Sequence, residues 1–194
     1  MSKYTEIPQR ILGKEKFIDD LTTWFSTVGK SNYDDQVTQL EHAIQSAVIA
    51  SSQLENPYFT TSALLHDIGH LLLDEHSKHE DFLESDLKHE EAGANWLAQY
   101  FVPEVVNPVR LHVPAKKYLC GKEPDYWSGL SDASKRSLEK QGGPMLDPEL
   151  RSFEDLNGYE LAVNLRRIDD LSKVKGKKIP SMDTFKDQMI ASLH

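Results

Sequence analysis

The stretch ALLHDIGHLL, residues 63–72, places two histidines, an aspartate and a glycine inside a run that is otherwise apolar. Its flanks, Ala63-Leu64-Leu65 and Leu71-Leu72, read as the buried part of a helix. Burying a polar group without a partner costs roughly 1–3 kcal/mol, and an unpaired charge costs far more. His66, Asp67 and His70 therefore require compensation from elsewhere in the chain.

The surroundings of this stretch are helical. Residues 14–29 repeat apolar side chains (Phe17, Ile18, Leu21, Trp24, Phe25 and Val28) with a helical period. Residues 37–54 open on Thr38 and Glu41, the spacing of a capping box, and then run through Leu40, Ala43, Ile44, Ala47 and Val48. The central helix is expected over 60–72, with Thr60 or Thr61 as its cap. Residues 74–86, which include His76 and His79, are charged and read as an exposed loop. Helices are expected again at 88–101 and 103–112, and the chain from 113 to 157 is punctuated by proline and glycine around one helix at 131–140. Further helices are expected at 158–174 and 183–193. No hairpin pattern or internal repeat interrupts them, so the fold class is all-α. At about 100–200 residues per domain, residues 1–194 are expected to form one domain.

Bulk composition narrows the function. A net charge of −9 argues against a nucleic-acid footprint or a polybasic membrane patch. Cys120, the one cysteine, excludes an intrachain disulfide and a cysteine-based zinc or iron–sulfur site. No apolar run approaches the ~20 residues of a membrane span. The polar start MSKYTEIPQR does not read as a signal peptide, and the expected location is cytoplasmic.

Eight histidines are present, and His42, His66, His70, His89 and His112 fall on expected helices or their ends. His66 and His70 are one turn apart on one face. Asp67 points about 100° round from His66 and can still reach a common centre. Such side chains can converge on the interior of a bundle, where metal sites are often built.

His42, the His66-Asp67 pair and a late Asp169 resemble the H…HD…D signature of the HD-domain superfamily of metal-dependent proteins. The resemblance spans roughly residues 35–175 and implies a helical bundle around a central metal site. On the helix at 158–174 the apolar face is Leu161, Leu165, Ile168 and Leu171; Asp169 lies at its edge and Asp170 nearly opposite. Asp169 is thus the better ligand, and Asp170 is expected in solvent. Adding His89 and His112 makes six donors, too many for one metal that must also take substrate. Two metals sharing Asp67 fit better, one held with His42, His66 and Asp169 and the other with His89 and His112. A nitrogen and oxygen donor set suits iron or manganese at least as well as zinc.

Within the superfamily, VTQLEHAIQSA (37–47), ALLHDIGHLL, LSDASKRSLEKQGGPM (130–145) and RRIDD (166–170) look like the mixed-valent di-iron oxygenases, the group of myo-inositol oxygenase, and specifically their organophosphonate-cleaving branch. That resemblance implies an Fe(II)/Fe(III) pair and O2 as co-substrate. It also implies phosphonate contacts from His70, Lys116, Ser134 and Arg166, with Asp67, His70 and Lys116 nearest the chemistry. Upstream of His42, a related aminophosphonate-cleaving enzyme has a glutamate that holds the substrate ammonium. It also has a tyrosine that occupies an open iron position. Here the glutamate position falls on Asp35, and the tyrosine position on Asn32, with Tyr33 one residue off. The shorter carboxylate implies a bulkier cation, with Tyr33, Tyr126 and Trp127 as cage candidates.

The expected reaction is therefore O2-dependent C–P cleavage of (1-hydroxy-2-(trimethylammonio)ethyl)phosphonate to glycine betaine and phosphate. The alternatives are the same reaction on 2-amino-1-hydroxyethylphosphonate, giving glycine, and metal-dependent phosphohydrolysis, the commoner activity of the superfamily. Gly69 is expected to leave room for substrate beside the helix.

Overall fold

The computed structural model describes residues 13–73 and 88–194. The charged segment 74–86, with His76 and His79, and the polar stretch 1–10 lie outside them. Among the described residues the chain is helical without strands. Its helices are α1 (Lys14–Val28), α2 (Gln39–Gln53), α3 (Pro57–Leu65), α4 (Ile68–Leu72), α5 (His89–Leu97), α6 (Pro103–Lys122), α7 (Tyr126–Gly129), α8 (Asp132–Lys140), α9 (Asp147–Glu154), α10 (Tyr159–Leu171) and α11 (Lys186–Ala191). A 3-10 turn, Met182–Phe185, precedes α11, where a single helix was expected.

The amphipathic helices form where their periodicity places them. The apolar face of α1, including Phe17, Ile18, Leu21 and Phe25, is buried in the main core against Ile44 of α2 and Leu64 of α3. The capping box of α2 is complete: Glu41 N–H donates to Thr38 Oγ1 at 3.2 Å, and Thr38 N–H donates to Glu41 Oε2 at 2.8 Å. It fixes the first turn of α2, on which His42 stands.

Three expectations need correction. The helix expected over 60–72 is two helices. It begins earlier, at Pro57, and its cap is Asn56, whose side chain accepts from Tyr58 and Phe59 N–H. It then breaks at His66-Asp67, where Asp67 has φ −101° and ψ 14°. The apolar residues on both sides of His66-Asp67 give no warning of that break. The helix expected to end at residue 112 continues to Lys122 as α6, through Pro108 and Pro114. Each of these prolines removes one helical hydrogen bond, but α6 is clamped by α10, α5 and α3. Finally, α7 and α9 arise where proline and glycine suggested loop; in α9, Pro148 sits in the first turn, where its missing N–H costs nothing.

Gly69 also departs from expectation. A Cβ there would lie 1.9 Å from the His89 carbonyl oxygen, and a Cβ on Gly93 would lie 3.1 Å from Gly69 N. The room left by Gly69 is filled by the backbone of α5, not kept for substrate. Two glycines let α4 and α5 touch and bring His89 to Asp67.

Candidate metal centre

Five elements converge on Asp67: α2 with His42, the α3–α4 junction with His66 and Asp67, α5 with His89, α6 with His112, and α10 with Asp169. Two groups of potential ligands result, His42, His66, Asp67 and Asp169, and Asp67, His89 and His112. The Asp67 carboxylate divides between them. Its Oδ2 lies 3.3 Å from His42 Nε2 and 3.2 Å from His66 Nε2. Its Oδ1 lies 3.3 Å from His112 Nε2 and 3.4 Å from His89 Nε2. Asp169 Oδ1 completes the first group at 3.4 Å from His42 Nε2.

The protonation pattern shows why this cluster requires cations. Nδ1 of His42 donates to Ser172 O at 3.0 Å, Nδ1 of His66 to Ala63 O at 2.9 Å, and Nδ1 of His112 to Val109 O at 2.6 Å. A carbonyl can only accept, so each Nδ1 carries a proton, and each ring in its neutral form presents an Nε2 lone pair to the cluster. His42 and His66 Nε2 then face each other at 3.2 Å, with carboxylate oxygens beside both. Asp67 Oδ2 is buried and accepts no hydrogen bond. Acceptors that meet only acceptors repel unless a cation lies between them. Oxygen and nitrogen ligands 2.0–2.2 Å from one ion stand about 2.9–3.5 Å apart, and the separations here match. Burial and the neighbouring His70 push His89 down to about 3, so it is neutral. The residues present fit two metal ions bridged by Asp67.

The other expected site residues separate into two groups. Lys116 and Arg166 are 4% and 5% exposed, not surface cations. Lys116 Nζ donates to Ser137 Oγ at 3.0 Å, and no carboxylate lies within ion-pair distance among the described residues. Arg166 bonds Asp169 and Asp170, so Asp170 is half-buried and paired, not solvated. His70 stacks on the His89 ring at 3.8 Å, with its Nε2 3.9 Å from Asp67 Oδ1. Ser134 meets the capping hydroxyl of Ser131, so the serine that reaches Lys116 is Ser137, one turn further along α8.

Asp35 does not join the cluster. Asp34 Oδ1 accepts from Gln36 and Val37 N–H, and this tight turn leaves Asp35 exposed. The same turn sends Tyr33 inward. Its ring stacks on His42 at 4.0 Å, and its hydroxyl lies 3.4 Å from Asp169 Oδ1. Asn32 is exposed and bridges to Thr38. Of the two candidates, Tyr33 is the one at the ligand cluster. Sequence reasoning missed Lys173, which pairs with Asp169 Oδ1 at 3.2 Å and lies 5.3 Å from the Tyr33 ring centroid. It also missed Gln45, which ties Val174 to α2 through both backbone groups. Lys173 is one turn past Asp169, and Gln45 one turn past His42; that spacing was the available signal.

The family model for the HD domain matches residues 39–151, more than half of the chain. The chain belongs to the HD-domain family. The matched span carries His42, His66, Asp67, His89 and His112; Asp169 and Arg166 lie beyond it on α10, which packs back along α6 and α2. The chain is 48% identical over 165 residues to hydroxymethylphosphonate dioxygenase of Gimesia maris, covering 85% of this chain and 82% of that protein. It is 36% identical over 170 residues to [1-hydroxy-2-(trimethylamino)ethyl]phosphonate dioxygenase (glycine-betaine-forming) of Leisingera caerulea, covering 87% and 86%. An uncharacterized protein of Acanthamoeba polyphaga mimivirus is 31% identical over 178 residues, covering 91% and 81%. This HD-domain protein is a metal-dependent oxygenase of the branch that holds the two bacterial enzymes. Among its described residues no helix is long and apolar enough to cross a membrane.

Proposed function

We propose that this protein cleaves the C–P bond of a small 1-hydroxyalkylphosphonate with O2, and that hydroxymethylphosphonate is the substrate. The observation that carries the reading is the Lys116 ammonium. It is buried, bonded among the described residues only to a neutral hydroxyl, and acted on by the like charge of Arg166. A buried ammonium without a carboxylate partner, next to the paired Arg166 and a metal cluster, calls for an anion, and a phosphonate supplies the charge and the oxygens.

The choice among phosphonates follows from the other end of the site. The expected trimethylammonium substrate rested on Asp35, and an exposed Asp35 gives a substrate cation no charge to meet. Tyr126, an expected cage member, is committed through its hydroxyl to Arg166 and Asp170. A substrate without an ammonium needs neither, and the 48% identical relative is named for one.

Lys116 and Arg166 hold the phosphonate, and His70, stacked on His89, is placed to donate to one of its oxygens. Tyr33 covers the His42 side of the cluster and shields it from water. Two iron ions, Fe(II)/Fe(III), would be held by His42, His66, Asp67 and Asp169 and by Asp67, His89 and His112, and would supply O2 activation. The balance needs no further reductant. The carbon takes one oxygen atom, phosphorus takes the other, the C–P bond breaks, and hydroxymethylphosphonate plus O2 yields formate and phosphate. Phosphate release from the hydroxymethyl and trimethylammonio substrates tests the choice. The kcat/KM is expected to favour the hydroxymethyl compound; a preference for the trimethylated one would restore the first expectation.

A pH prediction follows from Lys116. Burial and the Arg166 charge push its pKa down to about 8. Lys116 attracts a phosphonate dianion only in its protonated form, so kcat/KM, which reports the free enzyme, should fall as pH rises above about 8. Bound substrate retains the proton, so kcat should stay level to higher pH. In Lys116→Met the alkaline limb should vanish. A kcat/KM that is flat from about pH 7 to pH 9.5 would remove Lys116 from the anion site.

A further inference from the structure

Arg166 is anchored on three sides. Its Nη1 bonds Asp169 Oδ2, its Nη2 bonds Asp170 Oδ1, and its Nε donates to the Tyr126 hydroxyl oxygen at 3.3 Å. The Tyr126 hydroxyl in turn donates to Asp170 Oδ2, which closes a loop of three side chains. The Arg167 guanidinium, paired with Glu123, lies 6.0 Å from the Tyr126 ring centroid and helps to hold that ring in place. Tyr126 comes from the short helix α7, and Asp170 follows directly on a candidate metal ligand.

A guanidinium carries five N–H donors in a rigid fork. Three are engaged by described residues, and two remain for a ligand. Asp169 alone would fix one edge of the fork and leave its plane free to turn. Tyr126 and Asp170 fix the plane, and with it the direction of the two remaining donors. We propose that Tyr126 and Asp170 are positioning residues that aim Arg166 at the anionic end of the substrate. The proposal rests on the reading of the site as an anion-binding oxygenase centre. The Tyr126 hydroxyl both accepts from Arg166 and donates to Asp170; phenylalanine would keep the packing and open the loop.

The test uses the full metal-loaded chain as wild type, Tyr126→Phe and Asp170→Asn. Calorimetry gives Kd for inorganic phosphate, turnover gives KM and kcat for hydroxymethylphosphonate, and elemental analysis gives metal content. Both variants should raise the phosphate Kd and the KM by about tenfold, since each removes a hydrogen bond to a charged group. The kcat should stay within about twofold and metal content should not change. Unchanged Kd and KM would overturn the proposal. So would loss of metal in step with affinity, which would assign the pair to Asp169 instead. Wild-type protein that fails to bind phosphate would overturn it as well. Phosphate binding weakened in both variants of a protein that turns over no phosphonate would uphold the positioning role and overturn the function proposed above.

Discussion

Asp67→Ala is expected to lose both metal ions at once. Each of the two ligand groups depends on one oxygen of this carboxylate, with Oδ2 against His42 and His66 and Oδ1 against His89 and His112. Without it, the second group retains only two neutral imidazoles and no charge to hold a cation. Metal analysis should fall from about two ions per chain to well below one. Phosphate release should drop on the order of 10³-fold or more, since metal-bound charge stabilisation contributes several kcal/mol to such a barrier. Asp67→Asn keeps the shape and removes the charge, and should behave in the same way. A variant that retains two ions per chain would show that Asp67 is not the bridge.

Gly69→Ala should be nearly as damaging, by a different route. The new methyl group would sit 1.9 Å from the His89 carbonyl oxygen, which is backbone and cannot swing aside. Forcing α4 from α5 should cost about 1–3 kcal/mol or more. At about 2–4 °C per kcal/mol for a chain of this size, Tm should fall by at least several degrees. The displacement falls on His89, which belongs only to the second ligand group. The variant should therefore hold about one metal ion where wild type holds two. Unchanged Tm and full metal content would show that the α4–α5 contact is slack.

These two residues mark the range of what could be read from the sequence. The gathering of six donors in two groups around Asp67 was legible because they stand on successive helices, and the place of Asp169 among them because it lies at the edge of an apolar face. Gly69 was misread because the sequence shows the absence of a side chain but not what fills the space. The helix break at His66-Asp67 was hidden by apolar residues on both sides. The persistence of α6 through Pro114 was hidden because clamping by α10, α5 and α3 outweighs the local rule. Asp170 was assigned to solvent from its angle on the helix. An angle gives a direction and not the occupant; Tyr126, 44 positions earlier, lies there. Asp35 was placed by resemblance to a relative's glutamate upstream of His42, whereas the Asp34 turn decides that Tyr33 points in and Asp35 points out. The burial of Lys116 lay beyond sequence reasoning, because lysine is rarely buried without a partner.

The most direct measurement of the central claim is phosphate release from hydroxymethylphosphonate with and without O2. Oxygen-dependent cleavage predicts one phosphate formed per O2 consumed, and no phosphate under anaerobic conditions. Phosphate released at an equal rate without O2 would contradict the account and make this HD-domain protein a hydrolase.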